Sequence, residues 1–361
     1  MDFGCQKWYF EPSPRSPMPT ESDSRLRVLL TNDDGPPGKH SPYIYGLFRH
    51  LTVELGWDVK VVIPSSQKSW IGVDCTGNAY QITGTVCGRY YYPREPDGLG
   101  VISERSRSLE KGETAEWVLL DSTPATCANI ALHNLYPGQI DLLISGPNLG
   151  CNDSAAFALS SGTIGAALSS SLSKVRSIAL SYGAEQQSIP EELYKPAHVL
   201  SSRVIRHIWE HWAQDKDGLR DGEVDLYSIN IPMVRGLLSE EGLKICWTNM
   251  WRNSYGHLFK AHANSEPIPS PAGPDLSSSE AAGRSQRAVL TSGRSLTFEF
   301  AHVETELNPA DVPVGTDSWA LIHGNVSVTP LRASLAEPSI QSEAGQGGND
   351  FEDGDLWMQK L

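Results

Sequence analysis

The stretch from Arg27 to Gly38, "RVLLTNDDGPPG", joins a short apolar run to two adjacent carboxylates and a glycine-proline turn. The run "RVLLT" has the composition of a buried strand, and "GPPG" is typical of a turn. Asp33 and Asp34 therefore follow directly on the end of a predicted strand. Adjacent side chains within a strand point to opposite faces, but at a strand end the backbone can turn both toward one crevice. The stretch predicts an acidic pair at the edge of a β-sheet.

Strand-like runs and helical patterns alternate after this point. "SPYIYGLFRHLTVELG" predicts a helix with Ser41 as N-cap and Pro42 at the first helical position. "TPATCANIALHNL", opened by Thr123 and Pro124, "GTIGAALSSSLS" and residues 191–214 predict further helices. The predicted strands between them are "WDVKVVIP", "WVLLD", "IDLLIS", "SIALS" and "DLYSINIP". This alternation is typical of a parallel sheet covered by helices on both faces, so we predict an α/β fold.

The chain is predicted to contain one folded domain and three disordered or flexible segments. Residues 1–25 are rich in proline, serine and charge and are expected to be disordered. Residues 26–335 form the domain, with a flexible insertion at about 264–294, beyond which "SLTFEFAH" and "NVSVTPL" resume a β pattern. Residues 336–361 are expected to be an acidic disordered tail. Residues 75–112 give no regular pattern and predict an irregular or hairpin excursion.

Charge and composition limit the possible partners. The formal net charge of the 361 residues is −14, which argues against a nucleic-acid polymer as the main partner. No apolar run reaches the length of a membrane-spanning helix, and the first residues lack a secretory signal pattern. The six cysteines are scattered without a CxxC pair and are expected to be reduced. We therefore expect a cytoplasmic protein with a small-molecule substrate and no membrane partner.

Asp33 and Asp34 indicate a metal site. Two neighbouring carboxylates repel each other, and the pKa of one rises unless a cation lies between or beside them. A hard divalent ion such as Mg²⁺ or Mn²⁺ prefers oxygen ligands of this type. The alternative is an Asx-type turn, in which the aspartates and Gly35 serve only the backbone.

Other strand ends carry polar groups that would meet the aspartates at the same edge of the sheet. "PSSQKSWIG" supplies hydroxyls at Ser65, Ser66 and Ser69, although a surface turn would have the same composition. "GPNLGCNDS" supplies the carboxamides of Asn148 and Asn152, or else is a glycine loop with asparagines in left-handed conformations.

The start of a predicted helix follows this loop. Ser161, Gly162 and Thr163 would present backbone N–H groups and hydroxyls at its positive end, where a phosphate can bind. Helix capping alone would also explain these residues. Together, a metal beside an anion-binding helix start points to hydrolysis of a phosphate ester.

Six segments, in order, resemble the motifs of the survival protein SurE family, which comprises metal-dependent nucleotidases and acid phosphatases. They are "LLTNDDG", "VVIPSSQKS", "STPATCANIAL", "DLLISGPNLGCN", "SSGTIGAA" and "GTDSWALIHGNVSVTPL". The likeness covers residues 26–183, weakens over 225–262 and returns at 296–332. The form "NDDGPPG…SPYIYGL" resembles the fungal branch of the family.

The resemblance implies a Rossmann-like three-layer α/β/α fold with a mostly parallel sheet and a C-terminal β-hairpin extension. Exchange of that hairpin would give a homodimer or homotetramer. The divalent ion, Mg²⁺ or Mn²⁺, would be held by Asp33, Asp34, Ser69 and Asn148. Asn32 and Asn152 would line the pocket, and the substrate phosphate would be held by Ser161, Gly162 and Thr163.

The chain departs from the family pattern at three positions: Pro147, Ser154 and Ser160. These changes spare the implied ligands, so we expect them to alter base preference more than chemistry. The functional hypothesis is metal-dependent hydrolysis of nucleoside monophosphates, with Asp33 or Asp34 orienting water or accepting its proton. An aspartyl-phosphate mechanism is disfavoured because Asn32 occupies the position of the nucleophile. An inactive binding or scaffold protein with the same fold is the alternative.

Overall fold

The computed structural model describes residues 25–68, 85–183, 189–254, 259–261, 298–300 and 309–335. Within these residues the strands are β1 Arg27–Thr31, β2 Asp58–Pro64, β3 Gly88–Pro93, β4 Gly100–Ser103, β5 Trp117–Leu120, β6 Leu142–Leu149, β7 Arg176–Gly183, β8 Leu226–Pro232, β9 Ile245–Trp247, β10 Phe259–Ala261, β11 Phe298–Phe300 and β12 Val326–Leu331.

The α-helices of the described residues are α1 Ile44–Arg49, α2 Pro124–Ile130, α3 Ser154–Ser160, α4 Gly162–Leu172, α5 Tyr194–Glu210 and α6 Asp317–Ile322. Two π-helical turns extend α1 and α2, at His50–Glu54 and Ala131–Leu135. Short 3₁₀ turns lie at Glu191–Leu193, Arg235–Leu238 and Pro309–Asp311.

Ten strands form one sheet in the order β4-β3-β5-β2-β1-β6-β7-β8-β12-β9. The six strands from β5 to β8 in this order are mutually parallel. The pairs β3–β5, β3–β4 and β8–β12 are antiparallel, and β9 runs parallel to β12. The predicted α/β fold with a mostly parallel sheet is confirmed.

The central strands bury both faces, which explains their nearly continuous apolar sequences. In β1, Val28 and Leu30 join a core that includes residues of α1 and α5. Leu29 points to the other face and joins a second core with residues of α2 and α4. The sheet therefore lies between two helical layers, as the three-layer prediction requires.

Some local predictions are confirmed and one is wrong. Thr123 caps α2 by accepting a hydrogen bond from the Thr126 N–H, and Pro124 opens the helix. By contrast, α1 begins only after Tyr43, without a side-chain cap, so Ser41 is not its N-cap. The Ser41 hydroxyl instead accepts a hydrogen bond from the Asn32 side chain at 2.9 Å. Ser41 therefore serves the loop after β1 rather than the helix.

The irregular regions also take definite forms where the structure describes them. The hairpin expected within residues 75–112 appears as β3 and β4 at one edge of the sheet. The pair β10–β11 is antiparallel and corresponds to the predicted C-terminal β-hairpin, on either side of the insertion. Segment 1–25 except Arg25, the insertion at 264–294 and the tail 336–361 lie outside the described residues, so the domain boundaries stay predictions.

The helices give no clear transmembrane candidate in the part of the chain that is described. No single helix there has the length and apolar composition needed to cross a bilayer; α3 and α4 meet the requirement only jointly, and they bend by 73° at their junction.

A buried histidine joins α1 to α5. A Cβ atom at Gly46 of α1 would lie 2.4 Å from the His198 Nε2 atom, so the two helices meet closely there. His198 Nδ1 lies 3.0 Å from the Tyr182 hydroxyl, which is also 2.7 Å from the Ser201 hydroxyl. Burial lowers the pKa of His198 to about 3, with a smaller contribution from His50.

This lowered pKa predicts that acid weakens the fold. Between pH 6.5 and about 3, the unfolded chain binds a proton at His198 that the folded chain does not. The free energy of unfolding is therefore unaffected by this histidine above pH 6.5, and it falls by about 1.4 kcal/mol for each pH unit below that value.

We expect the free energy of unfolding of His198→Asn to fall less than that of the wild type when the pH is lowered from neutral to mildly acidic. Urea unfolding at the two pH values measures the difference. His133→Asn, at an exposed position, is the control. Equal losses in wild type and His198→Asn would contradict the assignment.

Candidate active site

The crevice at the carboxyl ends of β1 and β6 lies where the strand order reverses. After β1 the chain passes to β2 and β5 on one side, and β6 and β7 then lie on the other. Ligands of open α/β sheets bind at such a switch point because the flanking loops diverge there. Asp33 and Asp34 follow β1 directly, so the fold places the predicted acidic pair in this crevice.

Asp33 faces the helical layer that contains α4. The Thr163 hydroxyl donates a hydrogen bond to Asp33 Oδ1 at 2.6 Å, and the Thr163 backbone N–H also donates to this carboxylate. Asp33 is only 3 % exposed. Burial raises the pKa of Asp33 although both Thr163 donors act in the opposite direction. The first turn of α4 and the acidic pair are thus joined by a direct contact.

Asp34 contacts the last residue of β6 instead. The Leu149 backbone N–H donates to Asp34 Oδ2 at 2.8 Å, and the Gln67 side chain provides another hydrogen bond. Burial and then the charge of Asp33 raise the pKa of Asp34 to about 8. Two buried carboxylates with raised pKa values must share protons or attract a cation. The pair therefore has the electrostatics of a cation site.

The loop after β1 is held in place by Asn32. Its side-chain nitrogen donates to the Gly35 carbonyl at 2.8 Å and to the Ser41 hydroxyl, and its oxygen accepts from the Gly35 N–H at 3.1 Å. Gly35 has a φ of +80°, and a Cβ there would lie 3.1 Å from the Ser66 carbonyl carbon. The Lys68 N–H donates to the Asp33 carbonyl at 2.7 Å. The amide of Asn32 thus shapes the loop, and its predicted contact with substrate stays a prediction.

Asn148 lies at an irregularity in β6. The register between β6 and β7 shifts between Ser145 and Asn148. The Asn148 side-chain nitrogen donates to the Gly150 carbonyl at 3.1 Å, which turns the side-chain oxygen away from Gly150. An amide oxygen at the edge of the acidic crevice is a suitable ligand for a hard cation.

Two buried hydroxyls beside the carboxylates support this fit. Thr31 of β1 and Ser145 of β6 are register partners at the strand ends. Both hydroxyl oxygens are buried without a hydrogen-bond partner in the described part of the chain. A hydrated ion would satisfy such groups. Ser69, the fourth predicted ligand, lies outside the described residues. Among the residues that the structure does describe, no group of three or more His, Cys, Asp or Glu residues suited to a metal was found.

Asn152 is turned into the sheet rather than left free. Its side-chain nitrogen donates to the Ser181 hydroxyl at 2.9 Å, and its backbone N–H donates to Asn230 Oδ1 at 2.8 Å. The Asn230 side chain also lies 3.3 Å from the Ser327 hydroxyl of β12. A polar row therefore crosses the ends of β7, β8 and β12. The proposed pocket role of Asn152 stays a prediction.

The start of α4 combines capping with possible anion binding. The Ser161 hydroxyl accepts a hydrogen bond from the Ile164 N–H at 3.2 Å, so Ser161 is the N-cap. Thr163 is engaged by Asp33, whereas Gly162 brings a backbone without a side chain to the crevice. Ser161, Gly162 and Thr163 are all buried. The phosphate contact of these residues stays a prediction.

Asp317 holds the loop after β6 in place, and the sequence pattern did not predict this role. Its carboxylate accepts backbone N–H bonds from Ser154 at 2.8 Å and from Trp251 at 2.9 Å. Burial raises the pKa of Asp317 to about 6, and the charge of Asp153 adds to the effect. Ser154 has a φ of +64° and opens α3 directly after Asn152 and Asp153. Asp317 of α6 therefore fixes the loop that leaves the crevice.

A large open cavity lies on the face of the sheet opposite α4. It has a volume of about 1580 Å³ and extends between α1 and α5. Leu149 and Gly150 of the crevice and Tyr43 are among its lining residues. Lys39 and Lys195 lie at its exposed rim. The crevice thus has a helix N-terminus on one side and room for a larger group on the other.

A mostly parallel α/β sheet with a buried acidic pair at the switch point defines a site for a small ligand. The sequence model described as "Survival protein SurE" matches residues 28–257, and the chain belongs to that family. The fungal origin stays a prediction.

The individual relatives support this membership to different extents. The chain is 28 % identical over 316 residues to 5′-nucleotidase SurE of Ruegeria pomeroyi, covering 86 % of this chain and 95 % of that protein. It is 34 % identical over 264 residues to the probable tubulin–tyrosine ligase PBY1 of Saccharomyces cerevisiae. That match covers 67 % of this chain, which spans only about a third (33 %) of the yeast protein.

A solved structure supports the fold. The crystal structure of the SurE protein from Aquifex aeolicus superposes with a TM-score of 0.53 and 20 % sequence identity. The match covers 86 % of this chain and 94 % of that one. The Rossmann-like architecture expected from the sequence is therefore confirmed.

Proposed function

We propose that this protein is a divalent-metal-dependent phosphomonoester hydrolase that acts on nucleoside monophosphates, as a 5′/3′-nucleotidase or a broader acid phosphatase. The observation that carries the proposal is the buried pair Asp33 and Asp34, with one carboxylate bonded to Thr163 at the start of α4. The 5′-nucleotidase SurE relatives support the same activity. A cation site beside a helix N-terminus suits a dianionic phosphate ester.

The residues at the crevice fit a hard divalent ion such as Mg²⁺ or Mn²⁺. They offer carboxylate and amide oxygens whose charge is otherwise uncompensated. The proposed ligands are Asp33, Asp34, Asn148 and Ser69. When bound, the ion supplies positive charge against the negative charge that develops on the transferred phosphoryl group.

The chain's own residues would divide the remaining work. Thr163 fixes the Asp33 carboxylate and so sets the spacing between the acidic pair and α4. The N-terminus of α4, with Ser161 and Gly162, would stabilise the phosphoryl oxygens electrostatically. Asp34, held by the Leu149 N–H, would orient the attacking water and accept its proton. Asn32 and Asn152 would keep the two flanking loops around the phosphate.

A mechanism through a phosphorylated aspartate is less well supported. Asn32 occupies the position that the nucleophile would need, and its amide is bonded on both atoms to the loop. An amide is also a poor nucleophile. Isolation of a phosphorylated Asp33 or Asp34 would overturn this assignment.

The decisive assay is hydrolysis of p-nitrophenyl phosphate and of a panel of 5′ and 3′ nucleoside monophosphates. We expect turnover with Mg²⁺ or Mn²⁺ and loss of turnover with a chelator, restored when the metal is returned. Absence of hydrolysis with every metal and pH tested would favour the alternative, a catalytically inactive binding or scaffold protein. A homodimer or homotetramer in the cytoplasm remains our prediction for its state in the cell.

A further inference from the structure

Tyr43 carries a buried hydroxyl group that lacks a partner among the described residues. The residue is 0 % exposed, and its hydroxyl makes no hydrogen bond to any residue that the structure describes. Its neighbour Tyr182 is equally buried but bonds both His198 and Ser201. An unpaired buried hydroxyl is destabilising, so native proteins rarely retain one without a use.

The position of this hydroxyl is fixed by the packing of its ring. The Tyr43 ring lies edge-on to the rings of Tyr182 and Tyr194, with centroids 5.0 Å apart in each case. The Tyr43 carbonyl accepts a hydrogen bond from the Leu47 N–H at 3.0 Å, which ties the residue to α1. The ring is therefore held between two neighbouring rings and its backbone is tied to α1, which fixes the position of the hydroxyl.

That place adjoins the acidic pair. Tyr43 lines the large cavity together with Leu149, whose N–H donates to Asp34. Burial raises the pKa of Tyr43, and the charges of Tyr194 and Asp34 raise it further. The hydroxyl is thus within electrostatic reach of Asp34 and stays protonated. A protonated phenol both donates and accepts hydrogen bonds, so its O–H can donate to an acceptor that arrives with a ligand.

Tyr43 and α4 lie on opposite faces of the sheet. Tyr43 belongs to the core that contains α1 and α5, whereas α4 packs on the other face. A phosphoryl group bound at the start of α4 would therefore direct the rest of the ester toward Tyr43 and the cavity of about 1580 Å³. The cavity adjoins the acidic pair through Leu149, and its volume exceeds what a phosphate alone needs.

We propose that the Tyr43 hydroxyl donates a hydrogen bond to a sugar oxygen in the leaving group of the nucleotide substrate, and that the cavity between α1 and α5 holds that leaving group. This inference rests on the proposed phosphomonoesterase function and adds the residue that recognises the nucleoside part. Tyr43 is accordingly a substrate-binding residue and selects nucleotides over smaller phosphate esters.

The test compares Tyr43→Phe with Tyr227→Phe on two substrates, a nucleoside monophosphate and p-nitrophenyl phosphate, which lacks a sugar. Tyr227 is a buried tyrosine that does not line the cavity, and its hydroxyl accepts a hydrogen bond from the Ala213 N–H at 3.1 Å. For Tyr43→Phe we expect kcat/KM to fall about tenfold on the nucleotide, the value of one hydrogen bond, and by less than about threefold on p-nitrophenyl phosphate. The urea midpoint of this variant should equal or exceed that of the wild type, because no protein hydrogen bond is lost. Tyr227→Phe should lower the urea midpoint, because it leaves the Ala213 N–H without its acceptor, and should leave the ratio of the two kcat/KM values unchanged.

Each other outcome overturns the inference. Equal losses on both substrates would place the contact on the phosphoryl group, and no loss on either would remove Tyr43 from the site. A lowered urea midpoint for Tyr43→Phe would show that the hydroxyl is paired within the protein. A wild type that hydrolyses neither substrate would overturn the proposed function itself, whereas an active wild type with an unchanged Tyr43→Phe variant overturns only the role of Tyr43.

Discussion

Replacement of Asp34 by asparagine is expected to lower kcat/KM for a nucleoside monophosphate by about 10³-fold, equivalent to about 4 kcal/mol of transition-state stabilisation. The substitution keeps the shape of the side chain and an oxygen for the Leu149 N–H. It removes the negative charge that would hold the cation and the group that would accept the proton of water. Steady-state kinetics at saturating Mg²⁺ or Mn²⁺ measures the effect.

The same substitution should not weaken the fold of the metal-free protein. The raised pKa of Asp34, to about 8, means that ionisation of this carboxyl opposes folding as the pH rises through 3.8 toward that value. An asparagine removes that cost, so the free energy of unfolding near neutral pH should be unchanged or higher.

Asp141→Asn provides the matched control for Asp34→Asn. Asp141 lies at the opposite end of the same two strands, where its side chain forms a bidentate pair with Arg27. Arg27 lowers the pKa of Asp141, so loss of this carboxylate should reduce stability slightly and leave kcat/KM unchanged. If Asp34→Asn retained full activity, or lost activity only in proportion to lost stability, the catalytic assignment would be wrong.

Gly146→Ala is expected to have the largest effect on stability, with a loss of about 4 kcal/mol or more in the free energy of unfolding. Gly146 has a φ of +130°, and a Cβ atom there would lie 2.1 Å from the Leu180 carbonyl oxygen of β7. Since the obstacle is backbone of the central sheet, the strand itself would have to move. Urea unfolding, or loss of soluble protein on expression, measures the result.

Gly150→Ala separates the destabilisation caused by steric clash from that caused by backbone strain. Gly150 has a similar φ of +135°, but the nearest atom to its Cβ would be Asn148 Nδ2 at 3.6 Å. We expect a loss of about 1–2 kcal/mol for this variant, which is the strain of the left-handed conformation alone. Equal losses in the free energy of unfolding for Gly146→Ala and Gly150→Ala would show that the backbone of β7 does not exclude a side chain at Gly146.

The features that depend on a few consecutive residues were predictable from the sequence. The end of β1 at Thr31 and the acidic pair that follows it are encoded by one apolar run and the turn residues next to it. The start of α4 at Ser161 is likewise encoded by a capping residue before a helical pattern. In both cases the local preference and the tertiary fold agree, so a short window of sequence was sufficient.

The partners of these residues were not predictable because they are distant in sequence. Asn152 was expected to line the pocket, yet its side chain bonds Ser181, and its backbone bonds Asn230, 78 residues away. The support from Asp317 to Ser154 spans 163 residues. Each contact depends on which strand lies beside which, and this order is set by packing of the whole sheet.

Side-chain competition explains the incorrect helix start. Serine before proline is a frequent capping pattern, but the Ser41 hydroxyl accepts a hydrogen bond from Asn32, which belongs to the loop after β1. The helix then begins two residues later, after Tyr43. The same shift buries Tyr43 beside the acidic pair, and no periodic pattern signals that placement.

The most direct test of the account is calorimetric titration of the metal-free protein with Mn²⁺. We expect one strong Mn²⁺ site per chain in the wild type. The double variant Asp33→Asn, Asp34→Asn should remain folded and lose that site. If the double variant bound Mn²⁺ with the wild-type affinity, or if the folded wild type bound none, the acidic pair would not be a metal site and the proposed chemistry would be contradicted.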